Sequence, residues 1–425
     1  MRSLVVFVLT LLACAFPAVG QRLSPLVKSV DWPRLEQFQE TMTREEFQQL
    51  LDTVYAPGGA AAGVVEVRET DALIHTRLTP PETIVLRFAK DKESAKKPKN
   101  YWSTAPKKAV KKPLTGLTIA LDPGHIGGKW GLMEERSFSM PGDPPVQEGD
   151  MTLLVAKLAA PKLRALGAEV QLVRSKPDPI TPFAVEAFND AARKELDLLG
   201  ITDVRERYAG PKDPLKSHTV QWQAEKLFYR AAEIRERGRK VNTKLKPDVV
   251  VCIHFNADDW ADPNAPVFTD RNDLHALVHG CYSAGELRFD DQRFEMLLKL
   301  LNRSHTEEVA ASEPVIAALR KATGLPAFEY TTGNAVRANA DGFLWARNLL
   351  ANRIYECPTI FLEPYRMNNA EAYARMQAGD YPGEREVAGK KQKSIFREYA
   401  DAIVEGLRDY YSAARKSTKK TVKSP

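Results

Sequence analysis

Leu117-Thr118-Ile119-Ala120-Leu121-Asp122-Pro123-Gly124-His125 is the stretch whose reading decides the fold. Its first five residues are mostly apolar and partly β-branched, as in a buried strand. Asp-Pro-Gly-His then breaks the run with turn-forming residues. In α/β folds ligands lie beyond the carboxyl ends of such strands, and His125 falls there. Two later stretches repeat the pattern: Val249-Val250-Val251-Cys252-Ile253-His254 and Thr359-Ile360-Phe361-Leu362-Glu363. These three strand ends are expected to converge on one metal site.

Working outward, strands and helices alternate from Leu114 onward. Strand 117–122 runs into an irregular Gly/Pro-containing stretch that ends at Gln147. A helix is expected from about Asp150, as N-cap, to Leu166, with Gly167 stopping it. Pro161 lies inside this helix and should kink or divide it. Strand 169–173 follows, then an insertion over 183–215. A helix over 220–240 leads into the strand at 249, and a second insertion covers 257–290. Helices at about 291–303, 311–322 and 341–352 precede the Glu363 strand, and a closing helix spans about 393–412. This alternation, with near-continuous apolar strands, predicts an α/β fold: a mostly parallel twisted sheet with helices on both faces.

Upstream, residues 21–89 read as a small α+β accessory domain. Thr43-Arg44-Glu45-Glu46 is a capping-box pattern, and Phe47, Leu50, Leu51 and Val54 form one helical stripe. Ala56-Pro57-Gly58-Gly59 ends that helix, and three short strands follow at 64–68, 72–78 and 84–88. No chemistry is evident in this unit; His75, alone in a strand, reads as structural. A Lys/Pro-rich linker over 90–113 joins it to the domain at 114–412, and 413–425 is a basic tail.

The chain has 425 residues, enough for one large and one small domain at roughly 100–200 residues each. A hydrophobic fraction of 44% and a charged fraction of 27% are those of an ordinary globular protein. The net charge of +6 comes largely from the lysines of 90–112 and 415–423, which read as solvated segments. Aromatics interrupt these stretches only at Tyr101-Trp102, so nucleic acid is not an expected partner. Arg2, the apolar run from Leu4 to Ala13 and Ala18-Val19-Gly20 together form a signal peptide over residues 1–20, which predicts export. Leu11-Leu12-Ala13-Cys14 also resembles a bacterial lipoprotein box, in which Cys14 would carry a lipid anchor. No other apolar run reaches ~18 residues, so no transmembrane segment is expected. Cys252, Cys281 and Cys357 lack CxxC spacing and read as small buried hydrophobes, with one disulfide left open.

Zinc hydrolases hold the ion with three side chains from His, Glu and Asp, leaving a position open. A nearby carboxylate then handles the proton. His125, His254 and Glu363 supply three such groups, and Glu148, just ahead of the helix after the first strand, is the best-placed fourth. Glu134-Glu135 in the preceding loop remain an alternative second ligand. His275-Ala276-Leu277-Val278-His279 has helical zinc spacing without the HExxH glutamate, and is expected to be an insertion helix with structural histidines. No P-loop, GxSxG elbow or GxGxxG follows a strand, which disfavours phosphoryl transfer, serine hydrolysis and dinucleotide binding.

Four segments carry a resemblance. Asp122-Pro123-Gly124-His125, Glu148-Gly149-Asp150-Met151-Thr152-Leu153, Ile253-His254-Phe255-Asn256-Ala257 and Phe361-Leu362-Glu363 occur in the order seen in zinc-dependent N-acetylmuramoyl-L-alanine amidases of the Amidase_3 type. The chain resembles that family over about 115–412. The resemblance implies an amidase/phosphorylase-like fold, with one Zn2+ ion held by His125, Glu148 and His254 and Glu363 as the catalytic carboxylate. It implies peptidoglycan as partner, hydrolysis of the amide between N-acetylmuramic acid and L-alanine, and a place in the periplasm or cell envelope. Three departures stand out: Ile126 intervenes before Gly127-Gly128, Pro364-Tyr365 follow Glu363, and Asn368 replaces the usual later asparagine. A zinc amidase or peptidase acting on another amide is the enzymatic alternative. A non-catalytic wall-binding protein is the alternative from another class, although it would not need an intact His/Glu set.

Overall fold

The computed structural model describes residues 21–96, 111–210, 212–259 and 265–421, with side chains up to residue 414. The expected signal peptide, Cys14 and Tyr101-Trp102 of the expected linker lie outside the described residues. Thr43 caps α1 (Arg44–Leu50), and the capping box with Glu46 is formed as the sequence predicts. Three antiparallel strands follow: β1 (Val65–Val67), β2 (Asp71–Leu78) and β3 (Pro81–Arg87).

The larger unit opens with β4 (Thr118–Pro123) and a two-residue hairpin pair, β5 (Ser137–Phe138) and β6 (Val146–Gln147). Then come α2 (Glu148–Ala165), β7 (Glu169–Leu172), α3 (Asn189–Leu198), α4 (Val220–Lys226) and α5 (Glu233–Lys240). β8 (Val249–Ile253), β9 (Leu274–His279), α6 (Asp290–Leu301) and α7 (Ser304–Thr323) follow. The chain closes with β10 (Val336–Arg337), β11 (Leu344–Arg347), α8 (Leu350–Ile354), β12 (Thr359–Pro364), α9 (Ala370–Gln377) and α10 (Ile395–Thr421).

Seven strands form one sheet in the order β10-β11-β9-β12-β8-β4-β7. The run β12-β8-β4-β7 is parallel, whereas β9 lies antiparallel to β12 and pairs in parallel with β11. Side chains alternate across the sheet, as strand geometry dictates. Ile119, Leu121, Val249, Val251 and Ile253 face α2, α7 and α10. Ala120, Val250, Cys252 and Phe361 face Val241, Tyr355 and their neighbours around α8. Both faces are therefore dry, which is why these strands read as unbroken apolar runs. No helix among the described residues is long and apolar enough to cross a membrane.

Several expectations need correction. The stretch 274–279 is a fully buried strand, not a helix, so part of the expected 257–290 insertion is built into the sheet. In a strand, His275 and His279 lie about 13 Å apart at ~3.3 Å per residue and cannot share an ion. The helix at 341–352 is instead β11 followed by the short α8. α2 begins at Glu148, so Asp150 lies in its first turn rather than capping it, and the helix passes through Pro161 as one element. Pro161 and Lys157 are both exposed, leaving water to satisfy the Lys157 carbonyl that proline cannot serve. Cys252, Cys281 and Cys357 are all free and buried.

Candidate metal centre

The centre is assembled at the carboxyl edge of the parallel run. β4 and β8 are neighbours with Pro123 opposite Ile253, so His125 and His254 emerge side by side, their ring centroids 5.0 Å apart. β12 lies on the other side of β8, with Leu362 opposite Ile253, which brings Glu363 next to His254. The His254 ring stacks on Phe361 at 4.4 Å. Glu148, buried at the start of α2, lies between the two histidines. Its Oε1 is 3.1 Å from His254 Nδ1 and its Oε2 is 3.2 Å from His125 Nε2. Oε1 also accepts the Phe255 N–H at 3.0 Å.

The loop that aims His125 is held on every side. Gly124 has no room for a side chain: a Cβ there would lie 2.2 Å from His254 Cε1. His125 itself has a left-handed backbone, φ 59°. The buried Arg237 guanidinium donates to Asp122 Oδ1 at 2.9 Å, to the Pro123 carbonyl at 2.7 Å and to the His125 carbonyl at 2.6 Å. Thr152 and Arg174, reaching in from α2 and from beyond β7, donate to the Gly124 carbonyl. Asp150 accepts the Gly128 N–H at 2.9 Å, and Gly149 lets α2 approach within contact of the Ile126 carbonyl. Ile126 is buried among Phe188, Val220 and Phe228, which anchors the loop in their apolar cluster.

Charge in this centre is set by burial and by close neighbours. Burial, aided by the charges of His254 and Arg136, pushes His125 well below the ordinary histidine value against the pull of Glu148. Burial would raise Glu148, but the flanking histidines and Arg136 bring it down to about 2. Burial also works against charge on His254, yet contact with Glu148 and nearby Glu363 outweigh it and hold the ring above its ordinary value. Burial pushes Glu363 up to about 7, with His254 opposing and Glu148 adding to the rise.

One donor atom from each of His125, Glu148 and His254 lies within 4.8 Å of the others. Two imidazoles and an ionised carboxylate form a donor set that suits zinc and leaves coordination positions free. Glu363 stands beside this trio. Glu134, the alternative ligand, faces His125 from the far side: its Oε2 is 3.9 Å from Nδ1 and accepts the Ile126 N–H at 2.7 Å. Glu135 turns away to Lys216 at 2.8 Å.

Neither a protein-family model nor a curated protein matches this sequence. Solved structures similar to the chain include several N-acetylmuramoyl-L-alanine amidases, all at low identity. Ami1 from Mycobacterium abscessus is 16% identical, covering 70% of this chain and 99% of its own, with a TM-score of 0.36. AmiC2 of Nostoc punctiforme is 17% identical over 70% and 98%, with a TM-score of 0.36. The CwlD amidase from Clostridioides difficile, solved with the GerS lipoprotein, is 13% identical over 70% and 100%, with a TM-score of 0.38.

The centre opens into a cleft of about 880 Å³. One wall carries Arg136, Tyr208, Lys216 and Trp222; the other carries Asn256, Asp258 and Asp259. Asn368 fixes that second wall, accepting the Asp258 N–H at 3.0 Å and donating to the Asp258 carbonyl at 3.1 Å. Behind Glu363, His275 occupies the opposing position on β9, and its Nε2 lies 3.1 Å from Tyr330 Oη. Sequence reasoning missed Arg237, Arg174, Arg136 and the true place of His275. Arg237 had no signal beyond being one arginine among several on a polar helix.

Proposed function

We propose that this chain is a zinc-dependent amidase that hydrolyses the amide between N-acetylmuramic acid and L-alanine in peptidoglycan. The observation that carries the reading is the His125–Glu148–His254 trio with Glu363 beside it, open to a large cleft. The four motifs in family order supply the substrate. The signal-like residues 1–20 and the lipoprotein-box-like Cys14 fit work in the cell envelope, with 21–89 as a packing or docking accessory joined by the 90–113 linker to the catalytic unit at 114–412.

His125, Glu148 and His254 would hold the ion. Zinc held there supplies Lewis acidity, which polarises a carbonyl and acidifies water. His125 and His254 would donate as neutral imidazoles and Glu148 as a carboxylate, the ion displacing the proton that Glu148 and Glu363 favour on His254. Arg237 and Gly124 keep the two imidazoles in place without approaching the cleft themselves. Glu363, whose affinity for a proton is raised by burial, would take a proton from water and return it to the leaving amine. The lining residues Tyr208, Lys216, Trp222, Asn256, Asp258 and Asp259 would contact the parts of the substrate beyond the scissile bond.

Digestion of muropeptides followed by mass spectrometry tests the reading. Intact stem peptides with a free L-alanine amine are expected. Cleavage within the peptide, or no cleavage by zinc-loaded protein, would overturn it.

A further inference from the structure

We propose that Arg136 is the anion-binding residue of this centre, receiving the oxyanion and then the new carboxylate on the acyl side of the cleaved amide. The inference rests on the amidase reading above. Arg136 directly precedes β5, and its carbonyl accepts the Glu148 N–H at 3.1 Å, which ties its backbone to the first residue of α2. Its Nε lies 3.6 Å from Glu148 Oε2, the same oxygen that approaches His125 Nε2. The side chain is 41% exposed and lines the cleft together with both histidines and Glu363.

Among the described residues Arg136 makes its only ion pair with Glu148. That partner is also one of the three groups that would hold the ion. A divalent cation and a guanidinium on the same carboxylate oxygen repel each other strongly at such short range. An ion held by Glu148 would weaken this pair, leaving the guanidinium, whose Nη1 also donates to the Glu135 carbonyl at 3.0 Å, available to an anion on the open side of the cleft. Lys216, the other cation on this wall, is already bound to Glu135 at 2.8 Å. The opposite wall offers carboxylates, of which Asp258 is paired with Arg271 and Arg366. Arg136 is thus the cation left to meet an anion beside the centre. The Nε and Nη2 edge of the guanidinium, the side not bound to the Glu135 carbonyl, matches a carboxylate in two parallel hydrogen bonds.

The reaction supplies that anion. Water adds its oxygen to the carbonyl carbon and the C–N bond breaks; one of the water's protons leaves on the amine nitrogen and the other, lost from the new acid, goes to the free amine or to solvent. The acyl side, the lactyl group of the sugar, becomes a carboxylate. Charge builds on this fragment from addition to product, so one guanidinium serves both stages.

Calorimetric binding of N-acetylmuramic acid to zinc-loaded protein tests this, with N-acetylglucosamine, which lacks the lactyl carboxylate, as control. In Arg136→Gln, affinity for N-acetylmuramic acid should fall at least ~10-fold, with a smaller loss in Arg136→Lys. N-acetylglucosamine should bind all three proteins alike. Zinc should remain at one ion per chain, bound as tightly as in the wild type or more so, because a neighbouring positive charge is gone. Unchanged N-acetylmuramic acid affinity in Arg136→Gln, no binding of it to the wild type, or loss of zinc from the variant would each overturn the proposal. Loss of zinc would make Arg136 a support for Glu148 instead. Muropeptide digestion by the wild type separates the two readings: its failure sinks the amidase assignment, whereas an Arg136→Gln enzyme with wild-type kcat/KM sinks this one alone.

Discussion

Glu363→Gln separates proton handling from metal binding, because Glu363 stands beside the His125–Glu148–His254 trio without belonging to it. The amide is close in shape but cannot accept and return a proton, so turnover should drop by ~10²-fold or more while zinc stays bound. Measured kcat and zinc content decide it, and full activity in the variant would place the base elsewhere. Gly124→Ala acts on the neighbouring histidine. A Cβ within 2.2–2.5 Å of the His254 ring forces that ring aside. Crowding of this kind costs ~1–3 kcal/mol, and zinc affinity should fall at least ~10-fold in a chelator competition. An unchanged affinity would mean that the loop yields at no cost to the site. His125, His254 and Glu363 were legible as candidates in the sequence because each ends a run of buried residues, and Glu148 because it lies just ahead of the expected helix. Arg237, Arg174 and Thr152 were not. They reach the Asp-Pro-Gly-His loop from distant segments, and nothing local distinguishes an arginine that clamps carbonyls from one that faces water.

At the scale of elements, the strands at the centre of the sheet were readable because both of their faces are buried, which leaves a continuous apolar signature. β9 was not, because Leu-His-Ala-Leu-Val-His satisfies helical and strand periodicity equally over six residues. Only its pairing with β12 and β11 decides the matter. Packing of α7 against α10 gives a test at this scale. Burial pushes Glu307 on α7 up to about 7, with the Tyr410 hydroxyl of α10 pulling the other way through its hydrogen bond. The unfolded chain releases this proton near the ordinary glutamate value of 4.5. Between 4.5 and about 7 the folded state therefore holds a proton that the unfolded state lacks. Stability falls as pH rises through that window, and the loss is complete above it. Glu307→Gln keeps an acceptor for Tyr410 and removes the charge. Urea denaturation should find the variant more stable than wild type at pH 8, by at most ~3 kcal/mol, and nearly equal to it at pH 4.5. Equal stability of the two proteins at pH 8 would show that Glu307 ionises there without cost.

At the scale of the whole molecule, the lysine-rich stretch after residue 89 marks a boundary in composition, whereas the packing runs across it. Trp32, Phe47, Leu51, Tyr55 and Ile74 share one apolar cluster with Phe294, Leu297, Leu298 and Leu301 of α6. Phe294 meets Trp32 edge-on at 5.6 Å, and Arg293 of α6 donates to the His75 carbonyl of β2 at 2.8 Å. No sequence signal announces this, since the apolar stripe of α6 looks the same whether it faces its own sheet or a neighbouring unit. α6 is connected in turn to the main sheet through Lys299, whose ammonium reaches Glu308 on α7 and the carbonyls of Tyr355 and Cys357 ahead of β12. Phe294→Ala should therefore loosen both sides of the shared cluster. Truncating a buried phenylalanine costs ~3–5 kcal/mol, and at ~1.4 kcal/mol per decade even the lower figure raises local opening about 10²-fold. Hydrogen exchange read by mass spectrometry should show peptides from β2 and from α6 losing protection together and by similar factors. If β2 kept its wild-type protection while α6 lost it, the N-terminal sheet would close a core of its own and Phe294 would belong to the larger unit alone.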